Sequence, residues 1–235
     1  MNAFLSSARS IAALLVVTVL SPAPAVMAAD ASDQALDRWL EQQAGIHTWS
    51  ADVLQTRTLP SLSRPLETRG RVWFAVPNRF RWQLGEPART VAVRTADELM
   101  VVYPRLRQVE RYPFSDDLDP AWKQVLSLLD VGFPSDAPTF YASYEVLKTE
   151  SLDGAWLFHL RPASASARRM LDGVRIQVAQ SDYRLLATEL VFPDGSTMRN
   201  EFEHHEIDPP MDPHLFEFSS EWLGWSEVRP LEKRK

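Results

Sequence analysis

With 235 residues, 45% of them hydrophobic, a net charge of −6 and no cysteine, the chain must reach a stable core without cross-links. The absence of thiols removes disulfides, thiolate catalysis, Cys-ligated zinc and lipid attachment at an N-terminal cysteine, and the mildly acidic balance makes nucleic acid a poor partner. Eight Trp and eleven Phe put more large apolar surface on the chain than a thin sheet hides on one face.

Arg9, an apolar run over 11–20, Ser21-Pro22-Ala23-Pro24 and the small residues Val26-Met27-Ala28-Ala29 have the layout of a secretory signal peptide. The apolar part is shorter than the roughly 20 residues that cross a bilayer. The expectation is a signal peptide over 1–28, removed after Ala28, and a single soluble domain over 29–235.

Ser32 or Asp33 is placed to cap a helix that runs to Ala44 and stops at Gly45, with Leu36, Trp39 and Leu40 on one stripe. An extended segment follows from Ile46, where Trp49, Ala51 and Val53 share a face, and two prolines in 59–65 mark a loop. Strands are predicted at 67–76, 79–84, 90–94, 98–103 and 108–112. Val72, Phe74 and Val76 alternate with Arg71, Trp73 and Ala75, and Phe80, Trp82 and Leu84 alternate with Arg79, Arg81 and Gln83. That period of two gives a strand one apolar face. Links this short make neighbouring strands antiparallel.

Asp119-Pro120 opens a second predicted helix with the stripe Trp122, Val125, Leu126 and Leu129, ending before Gly132. Further strands are predicted at 140–148, 155–160, 174–178, 185–192, 197–207 and 216–218, with one helical turn at 164–170 and hairpin turns at Asp153-Gly154, Asp172-Gly173 and Pro193-Asp194-Gly195. Strands that do not alternate with helices make the fold mainly β, a strongly curved antiparallel sheet with helices on one side. Residues 99–103 and 190–192 are apolar on both faces. A half-barrel with a cavity on one side and a plain sandwich account for them equally.

Reaction chemistry is hard to find. His204 and His205 are adjacent, so on a strand they face opposite ways and do not close on one ion. Asp116, Asp117 and Asp119 sit where carboxylates complement a helix dipole, although a carboxylate pair for glycoside hydrolysis stays open. No nucleophile elbow, P-loop or Rossmann glycine pattern is present. Arg69, Arg71, Arg79, Arg81, Arg105, Arg107 and Arg111 either keep the sheet soluble or meet phosphate headgroups or an acidic partner.

Residues 71–82 read x-V-W-F-x-x-P-N-x-F-x-W and residues 97–104 read D-E-L-M-V-V-Y-P, with weaker echoes at Phe192-Pro193-Asp194-Gly195-Ser196 and Leu215-Phe216-Glu217-Phe218. Together with the signal peptide and the amphipathic first helix, this resembles the LolA family of periplasmic carriers of outer-membrane lipoproteins. The resemblance implies an open barrel of about eleven antiparallel strands, covered by two or three helices as a lid. It implies a periplasmic monomer with neither catalytic residues nor cofactor, receiving acyl chains of lipoproteins or related lipids from an inner-membrane donor complex and passing them to an outer-membrane acceptor. On that basis Val72, Phe74, Val76, Phe80, Trp82, Val101 and Phe192 are the cargo-facing residues, under lid residues Leu36, Trp39, Leu40, Trp122, Val125, Leu126 and Leu129. Trp73, Pro77, Asn78, Phe80 and Trp82 match the family motif, whereas the arginine that family members carry before the motif proline, in contact with the lid, is Val76 here. The rival reading on the same fold is a module that senses lipid or lipoprotein and signals to a protein partner.

Overall fold

The computed structural model describes residues 25–114, 132–134 and 136–228, with side chains from residue 34 onward. Residues 1–24 of the expected signal peptide, the predicted second helix with Trp122, Val125, Leu126 and Leu129, the acidic residues before it, and 229–235 lie outside the described residues.

Helix α1 spans Ala25–Ala44 and so begins ahead of the cap expected at Ser32. Nothing in Val26-Met27-Ala28-Ala29 breaks a helix, and Ala and Met are among the best helix formers. Six strands follow: β1 Thr48–Thr58, β2 Leu66–Ala75, β3 Arg79–Leu84, β4 Thr90–Arg94, β5 Glu98–Tyr103 and β6 Gln108–Pro113. Then come helix α2 (Ala137–Ser143), β7 (Tyr144–Leu152), β8 (Ala155–Pro162), the single turn α3 (Ala165–Arg168), β9 (Gly173–Ala179), β10 (Leu185–Val191), β11 (Thr197–Ile207) and β12 (Ser226–Val228).

Among the described residues all twelve strands belong to one sheet, ordered β12-β6-β5-β4-β3-β2-β1-β11-β10-β9-β8-β7 and not closed into a barrel. Its central seam pairs β1 with β11 antiparallel, from Trp49 opposite Ile207 to Thr58 opposite Thr197. The strand beyond the expected eleven comes from the C-terminal segment, where β12 lies parallel to β6 with Ser226 opposite Gln108. The strand predicted at 140–148 begins only at Tyr144, and the one predicted at 216–218 is something else. Residues 137–143 are helical because the Asp136 side chain accepts the Thr139 N–H at 2.7 Å and its Oγ1 at 2.9 Å, with a proline in the first turn. Residues Pro213–Phe216 form a 3₁₀ turn, capped by Asp212, in place of the strand expected over 216–218.

The sheet has a cover on each face, and over β4 to β6 both faces are buried. On one face α1 lays Leu36, Trp39 and Leu40, at 3%, 0% and 3% exposure, against Phe140, Phe158 and their neighbours on β7 to β9. The same core continues across Ala51, Val53, Val72, Phe74, Phe80 and Phe202. On the opposite face of β4 to β6, Val91, Val93, Met100, Val102 and Val109 are sealed by Trp222, with Phe218 and Trp225 beside it. This explains why residues 99–103 are apolar on both sides: Leu99 and Val101 belong to the first core, Met100 and Val102 to the second.

The C-terminal cover also changes the expected basic face. Arg79 lies over Phe216 at 5.5 Å, Arg81 over Trp222 at 5.6 Å and Arg111 over Phe218 at 4.8 Å, each a cation stacked on an aromatic face. Burial lowers the pKa of Arg81, against an opposing effect of Glu221. Arg111 also pairs with Glu98 and with Glu227 of β12. Arg71 pairs with Asp52 at 3.3 Å and Glu206 at 2.9 Å. Of the arginines grouped by sequence, Arg69, Arg105 and Arg107 are exposed.

Candidate binding cavity

A cavity of about 180 Å³ lies on the α1 side of the sheet. The alternation read in the sequence supplies its walls: Phe80, Trp82 and Leu84 from β3, Thr90 and Ala92 from β4, Thr188 and Leu190 from β10, and Met198, Asn200 and Phe202 from β11. Gln55 of β1 and the backbone turn at Gly132 and Phe133 complete it. Strands β3 and β10 are four places apart in the sheet, so only a concave sheet brings their side chains to one space.

Phe133 is the closing residue. Its ring stacks on Phe74, with centroids 4.5 Å apart and planes at 14°, and meets Trp49 at 4.8 Å. Phe202 in turn meets Trp49 at 5.4 Å and Trp82 at 6.0 Å, both edge-on. These contacts make one aromatic wall from the core to the cavity.

Within the apolar lining runs a polar row on three adjacent strands. Gln55 Nε2 donates to Asn200 Oδ1 at 3.0 Å, and Asn200 Nδ2 donates to Thr188 Oγ1 at 3.3 Å. Asn200 and Thr188 are both 6% exposed, so their mutual bonds offset the loss of water. The indole Nε1 of Trp82 finds no hydrogen-bond partner among the described residues. Sequence reasoning missed this row; its signal is a polar residue at the apolar parity of a strand, Asn200 between Met198 and Phe202. Sequence reasoning also missed Glu110, which accepts from Tyr112 Oη at 2.9 Å at the β6 side of the sheet. Burial, then that carboxylate, raises the Tyr112 pKa.

Of the residues expected to face cargo, Phe80 and Trp82 line the cavity. Val72 and Phe74, at 0% and 7% exposure, sit deeper in the closed core, and Val101 and Phe192 pack against its margin. Val76 departs from the expected alternation. It lies past the end of β2, 41% exposed, with its N–H donating to His47 O at 2.9 Å. The chain leaves the pleat at Ala75 to turn at Pro77 and Asn78, so the period of two that predicted an inward Val76 stops one residue short. Leu36, Trp39 and Leu40 cover β7 to β9 instead of lining the cavity.

The two histidines do face opposite ways. His204 is exposed and pairs with Asp52 at 3.0 Å, while His205 is half-buried and packs on Trp49 at 5.6 Å. Burial lowers the His205 pKa below its ordinary value of 6.5. The folded state therefore binds fewer protons than the unfolded chain, and the neutral ring's contribution is present above about pH 6.5 and lost as pH falls below it. His205→Gln is expected to reduce the fall in melting temperature between neutral and mildly acidic pH, measured by thermal denaturation. A second hollow, of about 340 Å³, lies by Asp52, Arg71, Glu203 and His204. Two of its charges are engaged with a third, since Arg71 and His204 both pair with Asp52.

A family model described as "Outer membrane lipoprotein carrier protein LolA" matches residues 44–219. The chain belongs to the LolA family. No curated protein matches the sequence significantly. Among solved structures, an uncharacterized conserved protein from Thermus thermophilus is 14% identical, covering 85% of this chain and 99% of that one at a TM-score of 0.49. A LolA superfamily protein from Nitrosomonas europaea is 16% identical, covering 77% and 97% at a TM-score of 0.40. The Mycobacterium tuberculosis lipoprotein LppX is 12% identical, covering 78% and 98% at a TM-score of 0.38. The LolA match takes in β1 to β11 and stops before Trp222 and β12.

Proposed function

We propose that this LolA family member is a periplasmic, non-enzymatic carrier that shields acyl chains of lipoproteins or related lipids between an inner-membrane donor and an outer-membrane acceptor. The observation that carries the reading is the cavity walled by Phe80, Trp82, Leu84, Leu190, Met198 and Phe202. An acyl chain in water loses about 0.8 kcal/mol for each exposed CH₂, so any carrier needs such a dry enclosure. The row formed by Asn200 and Thr188, with the Trp82 N–H, supplies the groups that would orient an ester or amide carbonyl at the head of the chain.

The size of the cavity adds a requirement. At about 180 Å³ it is little larger than the roughly 150 Å³ apolar cavity that takes up benzene. In its closed form it admits the end of one chain. A full load needs Phe133 to leave Phe74 and Trp49, so loading and displacement of that ring are one event. Val76, exposed in its turn, brings no charge to a lid, and release in this protein rests on how well Phe133 competes with cargo for the aromatic wall.

The purified protein is expected to take up an apolar fluorophore and to lose it when a diacyl lipid is added. A protein that never takes up the probe would overturn the carrier reading. Phe133→Ala is expected to bind more probe, or bind it more tightly, while losing about 3 kcal/mol of stability in urea. Unchanged uptake would remove Phe133 from the loading step.

A further inference from the structure

The register of the sheet assigns each described loop that joins paired strands to one of two ends. Arg57 stands opposite Leu66 and Thr58 opposite Thr197, which places loops 59–65 and 192–196 at the same end. The ladders β3–β4, β5–β6 and β8–β9 put 85–89, 104–107 and 163–172 there too. The cavity lies at this end: Leu84 is the last residue of β3, Thr90 the first of β4 and Met198 the second of β11.

The two ends differ in charge, although both show apolar side chains, with Val76, Leu152 and Ile207 exposed at the far end. Loops at the cavity end carry Arg64, Arg89, Arg105, Arg107, Arg168 and Arg169, all exposed, against Glu86, Asp136, Asp172 and Asp194. Loops at the other end carry Arg184 against Asp97, Asp153, Asp182, Asp208 and Asp212. An acidic protein has therefore gathered arginine on one rim. The same rim displays large apolar side chains in water: Leu62 at 44% exposure, Leu66 at 50%, Leu106 at 69% and Met170 at 40%. Leu106 stands between Arg105 and Arg107, and Met170 follows Arg168 and Arg169. Single exposed apolar residues need no explanation. Their coincidence with arginine at successive loop tips, around the end that holds the cavity, does.

We propose that this rim docks on the surface of an anionic phospholipid bilayer. The leucine and methionine side chains enter the interface and the guanidinium groups meet the phosphates. Docking would hold the cavity end against the membrane, so that an acyl chain moves between bilayer and cavity without crossing water. The acidic far end faces away, since anionic lipid repels it. This goes beyond the carrier reading, which needs only a cavity, and the two are separately measurable.

The test is co-sedimentation of the full protein with vesicles of phosphatidylethanolamine and phosphatidylglycerol, beside vesicles of phosphatidylcholine alone. Binding to the anionic vesicles only, weakening as salt is raised, is expected. Replacing Arg64, Arg105 and Arg169 together by Gln is expected to weaken it roughly a hundredfold, from about fivefold per arginine. Leu62→Ser with Leu106→Ser is expected to weaken it as well, while Asp153→Asn at the far end leaves it unchanged. None of these residues lines the cavity, so uptake of the apolar fluorophore should persist in every variant. Equal binding to both vesicle types, no binding to either, or variants that bind as the parent does would overturn the rim proposal and leave the carrier reading standing. Rim-dependent self-association without vesicle binding would assign the rim to a second copy and overturn it also. Loss of probe uptake with vesicle binding intact would sink the carrier reading instead.

Discussion

Trp82→Glu is expected to lower the affinity for an apolar probe at least about tenfold, equivalent to about 1.4 kcal/mol, while the protein keeps its fold. Trp82 is only half-buried, on a strand whose other face is held by the stack of Arg81 on Trp222. Its ring forms the cavity wall opposite Leu190 and Met198. A carboxylate there reaches water on one side and faces the cargo's hydrocarbon on the other. The apolar surroundings favour its neutral form and raise its pKa. Uptake should therefore recover as pH falls through that raised value and be lost again above it. Trp82→Phe keeps the apolar wall and is expected to bind nearly as the parent does. A collapse of the denaturation midpoint in Trp82→Glu, of the size expected for the fully buried Trp39, would place Trp82 in the core and not in a binding wall.

Trp222→Ala carries the largest expected loss of stability. Trp222 is 4% exposed and closes the second core over Met100, Val102 and Val109, and it receives the Arg81 guanidinium and the edge of Phe218 at 5.5 Å. Removing a buried aromatic ring costs about 3–5 kcal/mol, a large part of the roughly 5–15 kcal/mol that holds a domain together. The expected readout is a lower urea midpoint, with new binding of a dye for exposed apolar surface. Trp222→Phe should recover most of the loss. A midpoint within about 0.5 kcal/mol of the parent, the range of ordinary surface substitutions, would mean that the C-terminal segment rests on the sheet without sealing it.

Much of this was legible where one physical rule acts alone. The alternation of Phe80, Trp82 and Leu84 puts the three on one face of β3, where they line the cavity, because a strand buried on one face has no other way to satisfy its side chains. The α1 stripe was read for the same reason, although the element it covers depends on where β7 to β9 arrive. The misreadings came from local capping and from distant covers. The Asp136 side chain caps a helix that takes the first four residues of one predicted strand, and the Asp212 side chain caps a 3₁₀ turn where another was expected. The arginines opposite Phe80 and Trp82 looked solvated because nothing near them in sequence shows that Phe216, Phe218 and Trp222 lie over them. The row of Gln55, Asn200 and Thr188 was invisible for a related reason: each looks like an ordinary polar strand residue until three strands are set side by side.

The seam between β1 and β11 fixes when the protein can become itself. Trp49 has its partner at Ile207, and Gln108 has its partner at Ser226. A ribosome or a translocation pore delivers the N-terminal half long before either arrives. Until then β1 is an edge, and Val102 and Val109 lack the ring that covers them. Pairings this distant in sequence close slowly. The order of the sheet thus makes β11 and the segment around Trp222 a completion signal: a stalled chain that lacks them presents both an open strand and a bare apolar face, the two features by which quality-control machinery recognises an unfinished protein.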